Sequence, residues 1–161
     1  MEVEMKIKGL MIDPITQMPI IILRDPGSNA VLPIWVGIFE ANAIALQIEK
    51  ISTPRPMTHD LLRDIIRSLH AEVKRILIWD LKENTFYAKI FVQSNHSEVI
   101  IDSRPSDAIA LALRTGSPIF VDSSVIEKAK STDLAKDAGE SERLRKWLEN
   151  LDPDEMGKYE M

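Results

Sequence analysis

One short pattern occurs twice in this chain, and each copy predicts the start of a helix. Arg-Pro leads into a hydroxyl residue, a carboxylate follows within two positions, and helix formers complete the unit at residues 55–62 and 104–111. Proline disfavours the helical conformation for the residue before it, and a hydroxyl can accept a hydrogen bond from a free backbone N–H of the first turn. We therefore predict helices capped by Thr58 and Ser106, with an arginine just outside each N-terminus.

Strand-like segments form two groups, one before each copy of the pattern. Alternating or wholly apolar runs predict strands at residues 3–11, 19–24, 30–36, 73–81, 85–93 and 98–102. Helical spacing of apolar residues predicts a further helix at 38–50, and a short strand at 118–121 precedes a brief helix that runs through residue 130. This order of elements indicates an α+β fold with a mixed, largely antiparallel sheet, built from two meanders with helices packed on it.

Length and composition limit the class of protein. The 161 residues, 45% of them hydrophobic, suit one domain, which we assign to residues 1–130. A charged C-terminal segment, 131–161, follows and contains one amphipathic helix at about 140–150. The absence of cysteine excludes disulfides, thiolate catalysis and cysteine zinc sites. No apolar run approaches the roughly 20 residues of a membrane span, and the first residues lack a signal-peptide pattern, so we predict a cytoplasmic protein with no membrane partner.

The net charge of the chain limits how it could bind nucleic acid. A formal charge of −5 argues against broad electrostatic adhesion to nucleic acid, because such binding draws its affinity from many Lys and Arg contacts to phosphate. A local basic site is compatible with this charge. The arginines outside the two predicted helix starts, where free N–H groups and the helix dipole already favour anions, would supply one.

Three sequence blocks together resemble the bifunctional nuclease domain family. They are LPIWVG from residue 32 with Glu40-Ala41 after it, RPMTHDL from residue 55, and IDSRPSDAIALA from residue 101, in the order and at the spacing of that family. The resemblance covers roughly residues 5–125 and implies a compact α+β domain, a homodimer, and the nuclease activity on RNA and DNA that is attached to plant members. One fold can host many functions, so the activity of this chain depends on the residues of its site.

Phosphodiester cleavage requires a positioned nucleophile, stabilisation of charge at the phosphate and protonation of the leaving oxygen, often with metal ions held by carboxylates. The candidate residues are His59, Asp60, Asp107 and Glu40 for catalysis, Arg55 and Arg104 for phosphate binding, and Asp60, Asp102 and Asp107 for a divalent metal ion such as Mg²⁺ or Mn²⁺. His59 would transfer a proton near neutral pH. A metal-free mechanism with two histidines is not predicted, because neither His70 nor His96 lies in a block.

Two other functions fit the same residues: a non-catalytic binding module and the binding of a small anionic metabolite. For the carboxylates a structural explanation exists, because a carboxylate in the first turn of a helix stabilises the helix dipole by about 0.3–1 kcal/mol without any catalytic duty. Arg104 paired with Asp107, Asp60 or Glu40 would clamp the two copies together, and the chain would then be a non-catalytic binding module. The third function is binding of a small anionic metabolite. A closed pocket would favour that function, whereas an open groove with arginines reaching solvent would favour a polymer.

Overall fold

The computed structural model describes residues 1–136, so the helix predicted at 140–150 lies outside the described residues. The strands are β1 (Glu2–Ile12), β2 (Pro19–Arg24), β3 (Val31–Trp35), β4 (Ala71–Lys82), β5 (Thr85–Ser94), β6 (Ser97–Ser103) and β7 (Ile119–Asp122). The helices are α1 (Ile38–Ile48), α2 (Thr58–Ser68), α3 (Pro105–Thr115) and α4 (Ser123–Lys136). The last helix continues past its predicted end at residue 130, because neither Gly nor Pro interrupts that stretch.

These strands form one mixed sheet in the order β3-β2-β1-β7-β4-β5-β6. β1, β2 and β3 pair as one antiparallel meander, and β4, β5 and β6 pair as a second. β7 lies between the meanders, antiparallel to β1 and parallel to β4, which makes the sheet mixed. The predicted α+β class and the two meanders are confirmed. Each meander begins beside β7, runs outward to an edge of the sheet and is followed by a helix.

Helix α3 lies at the centre of the helical layer. It contacts α1, α2, β4 and β5, and its residues Ala108, Ile109 and Ala110 are fully buried. Three of the four buried residues of α1 are alanines, and such small side chains allow the backbones of the two helices to approach closely. This packing holds the first turn of α3 near the first turns of α1 and α2. None of the described helices is long and apolar enough to cross a membrane.

The N-caps of the two helices of the repeated pattern lie upstream of the predicted ones, by one residue in α2 and by two in α3. Met57 and Arg104 occupy the N-cap positions, and neither cap makes a side-chain hydrogen bond. The predicted capping by Thr58 and Ser106 was therefore wrong. Proline is well suited to the first helical position, since it has no N–H to satisfy, and Pro105 therefore begins α3, with its cap two residues upstream of the predicted one. In α2 the N–H of Met57 donates to Asp60 Oδ2 at 3.0 Å, so a carboxylate satisfies the helix start.

Asp80 joins α4 to the sheet. This buried residue of β4 accepts a hydrogen bond from Lys128 Nζ of α4 at 2.7 Å, and Lys82 Nζ lies 3.3 Å from its other oxygen. The hydrogen bond from Lys128 is the main reason that the pKa of Asp80 falls from 3.8 to about 2, although burial opposes the change. The carboxylate is therefore ionised at every pH at which the protein would normally be studied.

We expect Asp80→Asn to change how stability depends on pH. A carboxylate with a lowered pKa in the folded state stabilises the fold above its unfolded pKa, and this contribution disappears as pH falls through the folded pKa. For Asp80 the loss should occur between 3.8 and about 2. Urea unfolding at a series of pH values should show the wild type more stable than the variant near neutrality and the difference shrinking toward the acid end. A difference that stays constant across that range would contradict the assignment.

Candidate functional site

The first turns of three helices are joined through four side chains, Glu40, His59, Arg104 and Asp107, which we call the Arg104 cluster. His59 Nε2 lies 2.9 Å from Asp107 Oδ1. Arg104 donates to Asp107 Oδ2 from Nε at 3.0 Å and from Nη2 at 2.8 Å. The same Nη2 donates to Glu40 Oε1 at 2.6 Å. A continuous chain of hydrogen bonds therefore runs from histidine through carboxylate and arginine to a second carboxylate.

Exposure decreases along the cluster from Arg104 to His59. The side chain of Arg104 is 65% exposed, that of Asp107 31%, and that of His59 9%. Hydrogen bonds from the guanidinium to Asp107 and then to Glu40 raise the pKa of Arg104 above its ordinary value, so the group stays cationic. A ligand approaching from solvent would meet the guanidinium first, with its two carboxylate partners beside it and the imidazole behind it.

Gly37 allows Glu40 to reach the cluster. Glu40 lies in the first turn of α1, and a Cβ atom on Gly37 would collide with its Oε2 atom. The φ of Gly37 is −73°, which any residue can adopt, so a side chain at this position would require only that the Glu40 carboxylate move. This contact gives a physical reason for the spacing of the first sequence block.

Asp60 does not join the Arg104 cluster. Its Oδ1 accepts a hydrogen bond from Arg114 Nε at 2.7 Å. Burial alone would raise the pKa of Asp60, but the hydrogen bonds from the Met57 N–H and from Arg114 outweigh it and hold the pKa below its ordinary value. The structure thus gives different partners to two aspartates that are each the third residue of their helix.

Arg114 is a buried residue that the sequence interpretation missed. Its side chain is 1% exposed and donates to the carbonyl oxygens of Ala110 and Ala43, both at 2.9 Å, in addition to Asp60. One guanidinium therefore connects α1, α2 and α3. The signal was present, because an arginine follows the apolar run ALAL in α3 and a buried cation requires a carboxylate partner.

Arg55 and Asp102 also lie apart from the cluster. Arg55 belongs to the connection between α1 and α2, where it lines a cavity together with Asp60 and Arg114. Asp102 is exposed on β6 and pairs in register with Lys89 of β5. Side chains alternate along a strand, and the neighbours of Lys89 face the core, so Asp102 points away from the helices.

The predicted metal ligands therefore do not meet at one point. Asp60 contacts Arg114, Asp107 contacts His59 and Arg104, and Asp102 lies on the opposite face of the sheet. Among the described residues no group of three His, Cys, Asp or Glu side chains is placed to hold a metal ion. The set named from the sequence does not fit a shared ion in this arrangement, so a dependence on Mg²⁺ or Mn²⁺ stays a prediction.

The fold and the cluster define an α+β domain with a charged site built on helix starts. The chain belongs to the bifunctional nuclease domain family, whose model, described as "Bifunctional nuclease domain", matches residues 21–133. The resemblance found in the three sequence blocks is confirmed.

Similar proteins come from bacteria and plants. An uncharacterized protein of Mycobacterium tuberculosis is 37% identical over 161 residues, covering 94% of this chain and 96% of the relative. Bifunctional nuclease 2 of Oryza sativa subsp. japonica is 31% identical over 135 residues, covering 78% of this chain and 42% of the relative. Bifunctional nuclease 1 of Arabidopsis thaliana is 27% identical over 107 residues, covering 64% of this chain and 33% of the relative. The chain thus spans less than half the length of these two plant proteins.

Proposed function

We propose that this protein is a nuclease that cleaves phosphodiester bonds of RNA or DNA at the Arg104 cluster. One observation carries the proposal: a histidine, a carboxylate and a largely exposed arginine are hydrogen-bonded in sequence where three helices begin. Membership of a family in which plant relatives are named bifunctional nucleases supports the choice of substrate. The test is the loss of cleavage when a cluster residue is changed, with the fold retained.

In the proposed reaction Arg104 binds the phosphate. Its Nε and Nη2 atoms hold the two carboxylates, and Nη1 makes no hydrogen bond to any of the described residues. The two N–H groups of Nη1 would donate to non-bridging oxygens and stabilise the charge that develops in the transition state. The free N–H groups and dipoles of the adjoining helix starts add positive potential at the same place.

His59 would transfer the proton. Asp107 holds Nε2, which fixes the orientation of the ring and stabilises the imidazolium when it forms. Nδ1 is then the nitrogen that takes a proton from the attacking water and returns one to the leaving oxygen. Glu40 would position Arg104 from the other side, and Asp60 would act indirectly by anchoring α2 through Arg114.

A non-catalytic binding module is the second candidate. Both oxygens of Asp107 and one oxygen of Glu40 are already bonded to cluster partners, which is the clamp that this alternative predicts. The two candidates differ in one measurable way. A clamp contributes to stability alone, whereas a catalytic cluster loses activity in variants that remain folded.

We further propose that the protein is a homodimer that packs through α2. Leu61, Leu62, Ile65 and Leu69 are between 41% and 70% exposed and recur at three- and four-residue spacing, so they form an apolar stripe on one helix. Two such stripes related by a twofold axis would form a self-complementary interface. The cytoplasmic location stays a prediction from the sequence.

We expect Leu61→Ser/Ile65→Ser to dissociate this dimer. The substitutions remove two apolar side chains from each chain, so the dimer interface loses four, and each of these side chains is about half exposed in the single chain. At about 25 cal/mol per Å² the dissociation constant should rise by roughly a hundredfold to ten-thousandfold. Sedimentation velocity over a dilution series would measure it, with Ile100→Ser on the exposed edge strand β6 as the matched control. A monomeric wild type, or a control that dissociates equally, would rule out the α2 interface.

A further inference from the structure

A cavity of about 280 Å³ lies where the connection between α1 and α2 meets the first turn of α2. Its charged lining residues are Arg55, Asp60, Arg63 and Arg114, and the uncharged lining comes mainly from the connection itself. None of the four residues of the Arg104 cluster lines it. The cavity is therefore a separate site, although Asp60 and Arg114 both line it and anchor α2, the helix that carries His59.

The lining carries an excess of positive charge. Three arginines and one aspartate line the cavity, and Arg63 is paired with Asp64 outside the lining, which leaves a formal excess of one positive charge in a chain whose net charge is −5. Asp60 is already bonded to the buried Arg114 and cannot neutralise the others as well. Arg63 bonds through Nε to Asp64, which lies outside the lining, and its two Nη atoms make no hydrogen bond to any of the described residues. An anion would complete the charge balance of the cavity.

The backbone at Arg55 is restrained before any ligand arrives. It lies between Pro54 and Pro56, whose rings restrict the backbone on both sides. The hydroxyl of Thr53 donates to the carbonyl oxygen of Arg55 at 2.7 Å and closes the turn. A restrained backbone loses less conformational freedom on binding, and the planar guanidinium of Arg55 matches two oxygens of a phosphate.

The size of the cavity limits the ligand. Sites for small molecules commonly measure about 300–1,000 Å³, so this one has room for a phosphate and a group about as large as a sugar. We infer that the cavity binds a small phosphorylated ligand, between inorganic phosphate and a mononucleotide in size, with Arg55 and Arg63 as the phosphate ligands. In this inference Arg55 binds phosphate, as the sequence predicted, but the phosphate belongs to a small molecule and not to a nucleic acid.

Isothermal titration calorimetry on the full chain would test this inference with inorganic phosphate, ribose 5-phosphate and AMP as probes. We expect saturable binding of at least one probe at one site per chain. Arg55→Gln/Arg63→Gln should weaken that binding by about tenfold or more, because each arginine makes charge-assisted hydrogen bonds. Arg67→Gln is the matched control, since Arg67 is exposed on the same helix and lies outside the cavity.

Comparison of the probes identifies the recognised group. Equal affinities for all three would assign recognition to the phosphate, and tighter binding of AMP would add the nucleoside. Absence of saturable binding for every probe, unchanged binding by the double variant, or equal weakening by Arg67→Gln would each overturn the inference. His59→Gln should retain the binding, so a failure of this inference and a failure of the proposed nuclease activity are separable.

Discussion

Replacing Asp60 with Asn should lower the free energy of unfolding by about 3–5 kcal/mol, the usual cost of removing one partner from a buried ion pair. Arg114 is 1% exposed at its side chain, and Asp60 supplies its counter-charge at 2.7 Å. The remaining acceptors are carbonyl oxygens of Ala43 and Ala110, which carry no full charge. The variant would leave a cation buried among three helices.

Urea unfolding at neutral pH would measure this effect, with Asp64→Asn as the control. Asp64 lies on the same helix and pairs with Arg63, but the two side chains are 42% and 27% exposed. Exposed pairs contribute about 0–1 kcal/mol, so the control should stay close to the wild type. Equal small losses in both variants would show that the Asp60–Arg114 pair does not hold the helices together.

Replacing His59 with Gln should reduce cleavage of nucleic acid by about a hundredfold to ten-thousandfold, the usual contribution of general acid–base catalysis. Glutamine can still hydrogen-bond to Asp107, but it cannot take up a proton near neutral pH. His70→Gln is the control, because His70 is exposed beyond the end of α2 and belongs to no part of the cluster. Cleavage rates on labelled RNA and DNA would be compared between wild type, His59→Gln and His70→Gln. Full activity in the His59 variant would show that His59 takes no part in catalysis.

The elements of the fold could be predicted because the information is local. Alternation along the strands, helical spacing and turn residues are all read within a few positions, and both meanders follow from their short connections. The position of β7 between the meanders could not be predicted from such local patterns. It depends on pairing between residues far apart in the chain, such as Met5 with Ile119.

The candidate site was only partly predictable, because the two Arg-Pro copies differ in one interval. Arg104 precedes Asp107 by three positions and occupies the N-cap, so its guanidinium folds back onto that carboxylate. Arg55 precedes Asp60 by five positions and lies upstream of the N-cap residue Met57, so it cannot do the same. Asp60 is then available to Arg114, which lies 54 positions further along the chain. Local resemblance predicted the helix starts, but tertiary packing selected the partners.

The most direct test of the proposed nuclease site is cleavage of labelled single- and double-stranded RNA and DNA by Asp107→Asn, with Mg²⁺, with Mn²⁺ and with chelator. Asp107 contacts both His59 and Arg104, so it is the residue on which the cluster depends. We expect wild type and Asp64→Asn to cleave, and folded Asp107→Asn to lose about a hundredfold or more. Equal cleavage by Asp107→Asn and wild type would place the activity elsewhere, and no cleavage in any sample would favour the binding module.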